Sequence, residues 1–180
     1  MAEYSNLIYL IDMDGTIYRG TCPIQYAKEF ISYLQKKNRI FFMMTNCPGN
    51  SADALAQKVQ GMGIGVGPDN IITSADATAD YLANNTLCSK VYIIGSDALK
   101  EKIAEKGIDI VCERPDYVVV GYDKEFSYEK MKKAVQFILD GAGFICTNGD
   151  STIPDGKKLV PHTGAIAASI ESASGVKPVI

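Results

Sequence analysis

Short apolar runs alternate with amphipathic helical patterns along the chain, and this alternation limits the folds that it can adopt. Three segments carry apolar residues at helical spacing, within residues 26–34, 55–62 and 128–139. In the first of them, Tyr26, Phe30, Tyr33 and Leu34 share one face of the predicted helix. Alternating strands and helices predict an α/β fold with parallel sheets that are covered on both faces. The predicted strands are rich in β-branched and aromatic residues and lie at residues 7–11, 40–44, 91–94, 117–120 and 144–146.

Helix ends can be predicted from the residues beside these patterns. Ser51, Ser96 and Ser127 stand where N-caps belong. Gly63 and Gly107 follow the last apolar residue of a pattern, where a glycine commonly ends a helix.

Two connecting segments help to divide the chain. The polar stretch 84–89 has no periodicity, so we predict a boundary between two units near residue 85. The run GMGIGVG at residues 61–67 follows a helix instead of opening one after a strand. Its glycines therefore predict a helix-to-strand connection and not a nucleotide-binding loop.

The composition excludes several classes of function. The chain is 47% hydrophobic and 22% charged, which is typical of a globular protein. Its net charge of -3 gives no basic field for nucleic acid, and no apolar run approaches the ~20 residues that span a bilayer. We therefore expect a soluble cytoplasmic protein. Five scattered cysteines and one histidine do not predict a zinc site, and we expect reduced, mostly buried thiols.

Two aspartates follow the first predicted strand, in the sequence IYLIDMDGTIYRG. Ligands of parallel α/β sheets collect beyond the carboxyl ends of strands, where Asp12 and Asp14 stand. Strand alternation puts both on the same side, and a turn at Gly15 can keep them near one point. Two such close negative charges need a cation between them or a proton on one of them. An oxygen-ligated cation such as magnesium, with one aspartate available for proton transfer, suits phosphoryl transfer.

A threonine and an asparagine end the next predicted strand. If this strand lies beside the first, Thr45 and Asn46 open onto the same crevice as Asp12. A hydroxyl and an amide there can donate hydrogen bonds to phosphoryl oxygens.

The motif DMDGT after an apolar strand, followed by a second strand that ends in TN, resembles the haloacid dehalogenase superfamily. The segments ITSADATADYL, VYIIGSDALKEKI and PDYVVVGYD, with residues 143–175, look like its branch with a large α/β cap. That branch includes NagD-like, 4-nitrophenyl phosphatase and phosphoglycolate phosphatase enzymes. The resemblance implies a Rossmann-like parallel-sheet core, incomplete at the C-terminus, with an inserted α/β cap domain. The core would take residues 1–84, the cap 85–175, and a returning core strand would start at 176–180.

The same resemblance implies a function and its residues. It implies a magnesium-dependent phosphatase that hydrolyses small phosphate monoesters of the sugar phosphate, phosphoglycolate, nucleotide or 4-nitrophenyl phosphate type. Asp12 would be the nucleophile and Asp14 the general acid/base, with the Asp12 carboxylate and the Asp14 carbonyl as magnesium ligands. The phosphate-binding residues would be Gly15, Thr16, Thr45 and Asn46.

The resemblance also implies that the segment 148–161 of the cap faces the site and selects substrates. Caps of this kind often pair, so a homodimer through the cap is expected. The candidate substrate-selecting residues are Asn148 and Asp150 within this segment and Cys47 and His162 outside it.

This chain departs from the family pattern at several positions. Cys47, Pro48 and Gly49 replace the usual second asparagine and nearby arginine, TNGD replaces TNPD at residues 147–150, and PHTG replaces PGxG at residues 161–164. The physiological substrate therefore cannot be transferred from a relative. The family pattern continues past a strand like VKPVI with a lysine and a GDxxxTD segment, which do not occur before Ile180.

That absence leaves a second hypothesis open, a catalytically incomplete binding or scaffold protein. Within the same chemistry, a phosphomutase or a phosphonatase is disfavoured by the type of cap that the sequence resembles.

Overall fold

The chain folds as two compact units in a computed structural model that describes residues 7–46, 49–85, 88–155 and 158–180. The first unit comprises residues up to Thr45 together with Asn50–Thr73. The second comprises Asn46–Gly49 and Ser74–Ile180.

The first unit is an α/β layer. Its strands β1 (Ile8–Asp12), β4 (Ile40–Thr45) and β5 (Ile71–Thr73) form a parallel sheet in the order β1-β4-β5, and β2 (Tyr18–Arg19) and β3 (Cys22–Pro23) form a small antiparallel pair. A short 3₁₀ turn, Pro68–Asn70, precedes β5. The helices of this unit are α1 (Ala27–Lys36) and α2 (Ala52–Gly61).

One face of this sheet is buried under α1 and α2. Ile11, Phe41 and Met43 point into a core that the two helices complete. The opposite face is apolar but open to solvent among the residues that the structure describes, with Ile8 58% and Leu10 63% exposed. The prediction of a sheet covered on both faces is therefore wrong for this unit, because the described helices pack on one side only.

Of the four residues predicted on the buried face of helix α1, only Leu34 is buried. Tyr26, Phe30 and Tyr33 are exposed, and the helix packs through the stripe Ala27, Ile31 and Leu34. The helix itself was correctly predicted, but two apolar stripes run along it and the aliphatic one faces the sheet.

Helix α2 begins and ends where the sequence predicted. The hydroxyl of Ser51 accepts a hydrogen bond from the backbone N–H of Ala54 at 3.2 Å, which caps the helix. Gly63 has φ of +79°, a left-handed conformation that glycine adopts at little cost. Residues 61–67 connect the helix to β5, with Ile64 and Val66 buried in the core, as predicted.

The second unit is built around a parallel sheet of β6 (Lys90–Ile94), β7 (Asp109–Ile110), β8 (Tyr117–Val120) and β9 (Gly143–Cys146) in the order β7-β6-β8-β9, with an antiparallel hairpin of β10 (Thr152–Asp155) and β11 (Lys158–Pro161). Ser96 and Ser127 cap their helices as predicted. The helices of this unit are α3 (Ser74–Ala83), α4 (Asp97–Glu105), α5 (Tyr128–Leu139) and α6 (Thr163–Ser174).

This second sheet is covered on both faces, as the sequence predicted. Successive residues of β8 belong to two separate cores, because strand side chains alternate between faces. Val118 packs with α5 and α6, whereas Val119 packs with α3 and α4.

The division between the units falls before α3, whereas the sequence predicted a boundary near residue 85. Ala75 and Leu82 of α3 share a buried cluster with Leu99 of α4. Lys106, the residue that follows α4, also pairs with Asp80 of α3 at 2.6 Å. These contacts join α3 to the second unit, and the polar stretch that suggested the boundary follows the helix.

The cysteines that the structure describes are free, but they are not mostly buried. Among those that the structure describes, Cys146 is buried, Cys88 is half-buried, and Cys22 and Cys112 are exposed. Cys47 lies outside the described residues. None of the described helices has the length and apolar character needed to span a membrane.

Candidate active site

Asp12 and Asp14 project from the carboxyl end of β1 on the solvent side. Asp12 is the last residue of the strand, and Met13, between the two aspartates, is fully buried in the core of the first unit. The backbone N–H of Met13 donates to the carbonyl of Met44 at 3.1 Å, which continues the pairing of β1 with β4. Because Met13 is fixed inward, strand alternation leaves both carboxylates exposed.

The residues after Asp14 form a tight turn that returns the backbone towards Met13. The carbonyl of Met13 accepts from the backbone N–H of Ile17 at 2.8 Å. Gly15 has φ of +88°, and its N–H donates to the carbonyl of Tyr18 at 2.8 Å. A side chain at this φ would be strained, so the glycine is needed for the turn.

Thr16 brings a hydroxyl to the first aspartate. Its Oγ1 donates to Oδ2 of Asp12 at 3.2 Å. The hydrogen bond orients the Asp12 carboxylate through Oδ2, so one carboxylate oxygen is held and Oδ1 can face a reactant.

Thr45 is the last residue of β4, the strand that pairs with β1. Asp12 is the partner of Met44, and Thr45 is the partner of Thr73 on β5. The Thr45 side chain is only 7% exposed and lies on the helix-covered side of the sheet by alternation with Met43. Its role as a phosphate ligand stays a prediction.

The two aspartates supply a donor set that fits a magnesium ion. Their oxygens are hard ligands, and Mg²⁺ in phosphoryl-transfer sites is commonly held by one or two carboxylates with waters and substrate phosphate. Among the residues that the structure describes, no cluster of three or more histidine, cysteine, aspartate or glutamate side chains competes for a metal ion.

Asn46 belongs to the second unit and is held there by polar contacts. Its side-chain amide donates to Oδ2 of Asp150. Its carbonyl accepts from the amide of Asn148 at 2.8 Å and from the hydroxyl of Ser74 at 3.1 Å. The structure thus brings together three of the predicted site residues, Asn46, Asn148 and Asp150.

The segment 148–151 is fastened to the start of α6. Oδ1 of Asn148 accepts from the N–H of Asp150 at 3.0 Å, which closes a turn. The carbonyl of Asp150 accepts from the N–H of Gly164 at 2.8 Å, and the carbonyl of Ser151 accepts from the N–H of His162 at 2.9 Å. The backbone after the Asp150 side chain is therefore held by His162 and the first turn of α6, and the N–H before it is held by Asn148.

Gly164 allows this close approach. A Cβ at this position would lie 2.7 Å from the carbonyl carbon of Gly149 and 2.8 Å from that of Asp150. Real side chains do not occupy such space, so the segment can rest on α6 only because residue 164 is glycine.

His162 precedes α6 and is 2% exposed. Its ring stacks on Tyr122 with centroids 4.7 Å apart and an interplanar angle of 28°. Burial lowers the pKa of His162, and the nearby Asp150 carboxylate opposes this shift. His162 was predicted to be either a substrate contact or a helix-start residue that only caps the helix or faces solvent. The structure places the imidazole inside the unit.

The usual ligand position of the second sheet is filled by a side chain. In open α/β sheets ligands bind where the strand order reverses, which here is between the ends of β6 and β8. Glycines follow both strands, and Leu99 of α4 lies over them. Its Cδ2 is 2.8 Å from the Cβ position of Gly95 and 2.7 Å from that of Gly121. The predicted site residues of this unit, Asn46, Asn148 and Asp150, instead lie together beyond the end of β9.

Some residues of this arrangement were missed by the sequence analysis. Ser74, Tyr122 and Thr163 each support a predicted site residue, and Thr163 Oγ1 accepts from the Asn148 amide at 3.3 Å. Tyr122 follows an apolar strand in the sequence VVVGYD, the same kind of signal that identified Asp12. Cys47, another candidate, falls among the residues outside the description.

Comparison with known proteins assigns the family. A sequence profile of the haloacid dehalogenase-like hydrolases matches residues 9–109. The chain belongs to this family.

Individual members of the family resemble the chain over nearly its whole length. It is 39% identical over 171 residues to an acid sugar phosphatase of Staphylococcus aureus (strain USA300), covering 94% of this chain and 66% of that protein. The chain thus spans about two thirds of the length of this curated relative.

Solved structures of the family agree with the fold. NagD from E. coli K-12 superposes with a TM-score of 0.89 at 32% identity, covering 96% of this chain and 67% of NagD. The glycerol phosphate phosphatase Rv1692 of Mycobacterium tuberculosis, solved in complex with magnesium, gives a TM-score of 0.88 at 29% identity, covering 96% and 53%. The NagD-like branch and the α/β fold predicted from the sequence are confirmed.

Proposed function

We propose that the protein is a magnesium-dependent phosphatase that hydrolyses small phosphate monoesters through an aspartyl-phosphate intermediate on Asp12. The observation that carries the proposal is the pair Asp12 and Asp14, exposed on one side of a strand end around a buried Met13. The phosphatase names of its family relatives support the same reaction class.

The two aspartates divide the chemistry of the reaction. A carboxylate oxygen of Asp12 attacks phosphorus, and the bond from phosphorus to the ester oxygen breaks. Asp14, in its protonated form, gives its proton to the departing oxygen. Asp14 then removes a proton from water, the water oxygen attacks the phosphorus of the aspartyl phosphate, and inorganic phosphate leaves with Asp12 regenerated.

Several neighbours support this assignment. The Thr16 hydroxyl holds one oxygen of Asp12 and so limits the rotation of the nucleophile. Backbone N–H groups of the turn at Gly15 and the polar side chains of Thr45 and Asn46 are the proposed phosphate donors. Magnesium, bound by the Asp12 carboxylate and the Asp14 carbonyl, would neutralise negative charge on the phosphate and on the nucleophile.

Removal of the metal provides the direct test of the proposal. We expect the active protein to hydrolyse 4-nitrophenyl phosphate with added Mg²⁺ and to lose this activity in a chelator, because the Asp12 carboxylate and the phosphate repel each other without a cation. Restoring Mg²⁺ should restore turnover. Undiminished hydrolysis in a chelator, after dialysis against it, would contradict the metal-dependent mechanism.

Selection among substrates is proposed for the segment 148–151, which follows β9. A sugar phosphate, phosphoglycolate or nucleotide shares its phosphate with every other monoester, so discrimination must come from groups that contact the remainder of the molecule. Asn148 and Asp150 are the proposed substrate-selecting residues, and His162 is proposed to support them from inside the unit. We also propose a cytoplasmic location and a homodimer that forms through the second unit, as the resemblance to this branch implies.

Replacing Asp150 by alanine should change selectivity. The variant loses a carboxylate that accepts from the Asn46 amide, so we expect the ratio of kcat/KM values among sugar phosphates, phosphoglycolate and nucleotides to change by about 10-fold or more. Turnover of 4-nitrophenyl phosphate should change less. Steady-state kinetics on the whole panel measures both effects.

Asp109→Ala is the matched control for this experiment. Asp109 lies on β7, at the opposite edge of the sheet from β9, and is exposed. The Asp109→Ala variant should leave the ratios of kcat/KM among the esters unchanged. Equal losses on every ester in the Asp150 variant would place selectivity in other residues.

A further inference from the structure

His162 contributes two polar atoms that have no visible function where they lie. The side chain is 2% exposed, and neither Nδ1 nor Nε2 has a hydrogen-bond partner among the residues that the structure describes. Burying an unpaired polar group is costly, since its hydrogen bonds to water are lost without replacement. A phenylalanine would stack on Tyr122 without this cost, so the imidazole needs another explanation.

The position of His162 connects it to the proposed selecting segment. Its backbone N–H holds the carbonyl of Ser151, next to Asp150. Asp150 and Asn148 in turn hold Asn46, the residue that follows β4. A shift of His162 would therefore reach the Asp150 side chain through one backbone hydrogen bond.

We propose that His162 is a positioning residue: its neutral ring, stacked on Tyr122, keeps the segment 148–151 seated on α6, and protonation of the ring releases the segment. The proposal rests on the proposed function for its effect on substrates, because Asp150 matters to selectivity only if the protein is a phosphatase. The release of the segment itself does not depend on catalysis.

The charges around the ring decide what protonation would do. Asp150 attracts a protonated imidazole and lies on the segment that would move. On the β8 side, Lys124 lies with Nζ 6.0 Å from the Tyr122 ring centroid, and Asp123 is already paired with Lys130 at 2.7 Å. In the hairpin, Asp155 and Lys158 carry opposite charges on paired residues. The first turn of α6 has no acidic residue, and its helix dipole disfavours a cation there.

These surroundings give the direction of the pH effect. Burial lowers the pKa of His162 in the folded chain below its ordinary value near 6.5. The unfolded chain therefore binds the proton more tightly, so the seated arrangement is fully stable above about pH 6.5 and loses stability as the pH falls through the folded-state pKa. The attraction to Asp150 opposes the release, but burial is the larger of the two effects on the pKa, so a protonated ring is stabilised on balance by moving towards solvent.

Amide hydrogen exchange tests the proposal without requiring activity. In the full chain we expect protection of the segment 148–151 and of residues 162–165, corrected for the intrinsic pH dependence of exchange, to fall several-fold between about pH 8 and about pH 5. In His162→Phe, which keeps the stacking but cannot take a proton, protection should not depend on pH. Buried strands such as β6 serve as the internal reference.

The histidine can also be followed directly in the unmodified protein. Because the chain has one histidine, its ring signals in a proton NMR titration need no assignment by mutation. The midpoint should lie below the ordinary value and coincide with the loss of protection, a result that is independent of whether His162→Phe folds. A ring that titrates without any change in protection, or equal pH dependence in His162→Phe, would overturn the proposal.

Kinetics then separates this proposal from the proposed function. If the protein is a phosphatase, the preference among phosphate esters should change with pH in the unmodified protein and should stay constant in His162→Phe. A pH-dependent exchange of the segment in a protein without phosphatase activity would support the positioning role and contradict the function.

Discussion

Asp12→Asn should fold and bind phosphate esters but should turn them over several orders of magnitude more slowly. The amide has the shape of the carboxylate and can still accept the hydrogen bond from Thr16 through its oxygen. It cannot attack phosphorus, because the amide lacks the charged, nucleophilic oxygen. Hydrolysis of 4-nitrophenyl phosphate with added Mg²⁺ measures the loss, and urea unfolding checks that the variant is folded.

Asp69→Asn is the matched control for the nucleophile. Asp69 is exposed in the same unit, but it lies in the 3₁₀ turn that precedes β5, at the amino end of the parallel sheet. The same change of charge there should leave turnover within about twofold, the range usual for a surface substitution. Near-normal turnover by Asp12→Asn would exclude the aspartyl-phosphate mechanism.

The strand ends could be predicted because buried strands have a strong signal. The apolar runs before Asp12 and Thr45 end abruptly in polar residues, and parallel pairing puts such ends at one edge. The caps Ser51, Ser96 and Ser127 were predictable for a similar reason, since each satisfies N–H groups that a helix leaves unpaired.

The buried side of α1 could not be predicted from periodicity alone. Ala27, Ile31 and Leu34 have helical spacing, and so do Tyr26, Phe30 and Tyr33 one position earlier. Both stripes are apolar, and only the packing of the helix on β1 and β4 decides between them. The aliphatic stripe is buried in the described structure, which leaves the larger aromatic side chains exposed.

The contacts of the segment 148–151 could not be predicted from the sequence. Asn148 donates to a carbonyl 102 positions earlier in the chain. Nothing local in TNGD or PHTG indicates this partner, because both segments read as turns. The sequence did identify Asn148, Asp150 and His162 through their place in a family pattern, but it could not show that two of them hold Asn46 and that the third is buried.

Gly164→Ala should displace the segment 148–151 and change which esters are accepted. The added methyl would meet backbone atoms of Gly149 and Asp150, which cannot rotate away as a side chain could. We expect a loss of about 1–3 kcal/mol in the free energy of unfolding, as for other overpacked sites. Since the displaced backbone carries Asp150, we also expect the kcat/KM values for sugar phosphates, phosphoglycolate and nucleotides to change relative to one another. These changes should be larger than the change in kcat/KM for 4-nitrophenyl phosphate.

Gly61→Ala provides a matched control, because the same methyl group added at the end of α2 meets no atom within 4 Å and the backbone there has no positive φ. That variant should be as stable as the parent or more stable by about 0.4–1 kcal/mol, since alanine reduces the freedom of the unfolded chain. Urea unfolding, hydrogen exchange of residues 148–151 and the ester panel should be measured on both variants. If Gly164→Ala kept normal exchange and a normal panel, the segment would not rest on α6 in solution, and the route from α6 to Asp150 would have to be abandoned.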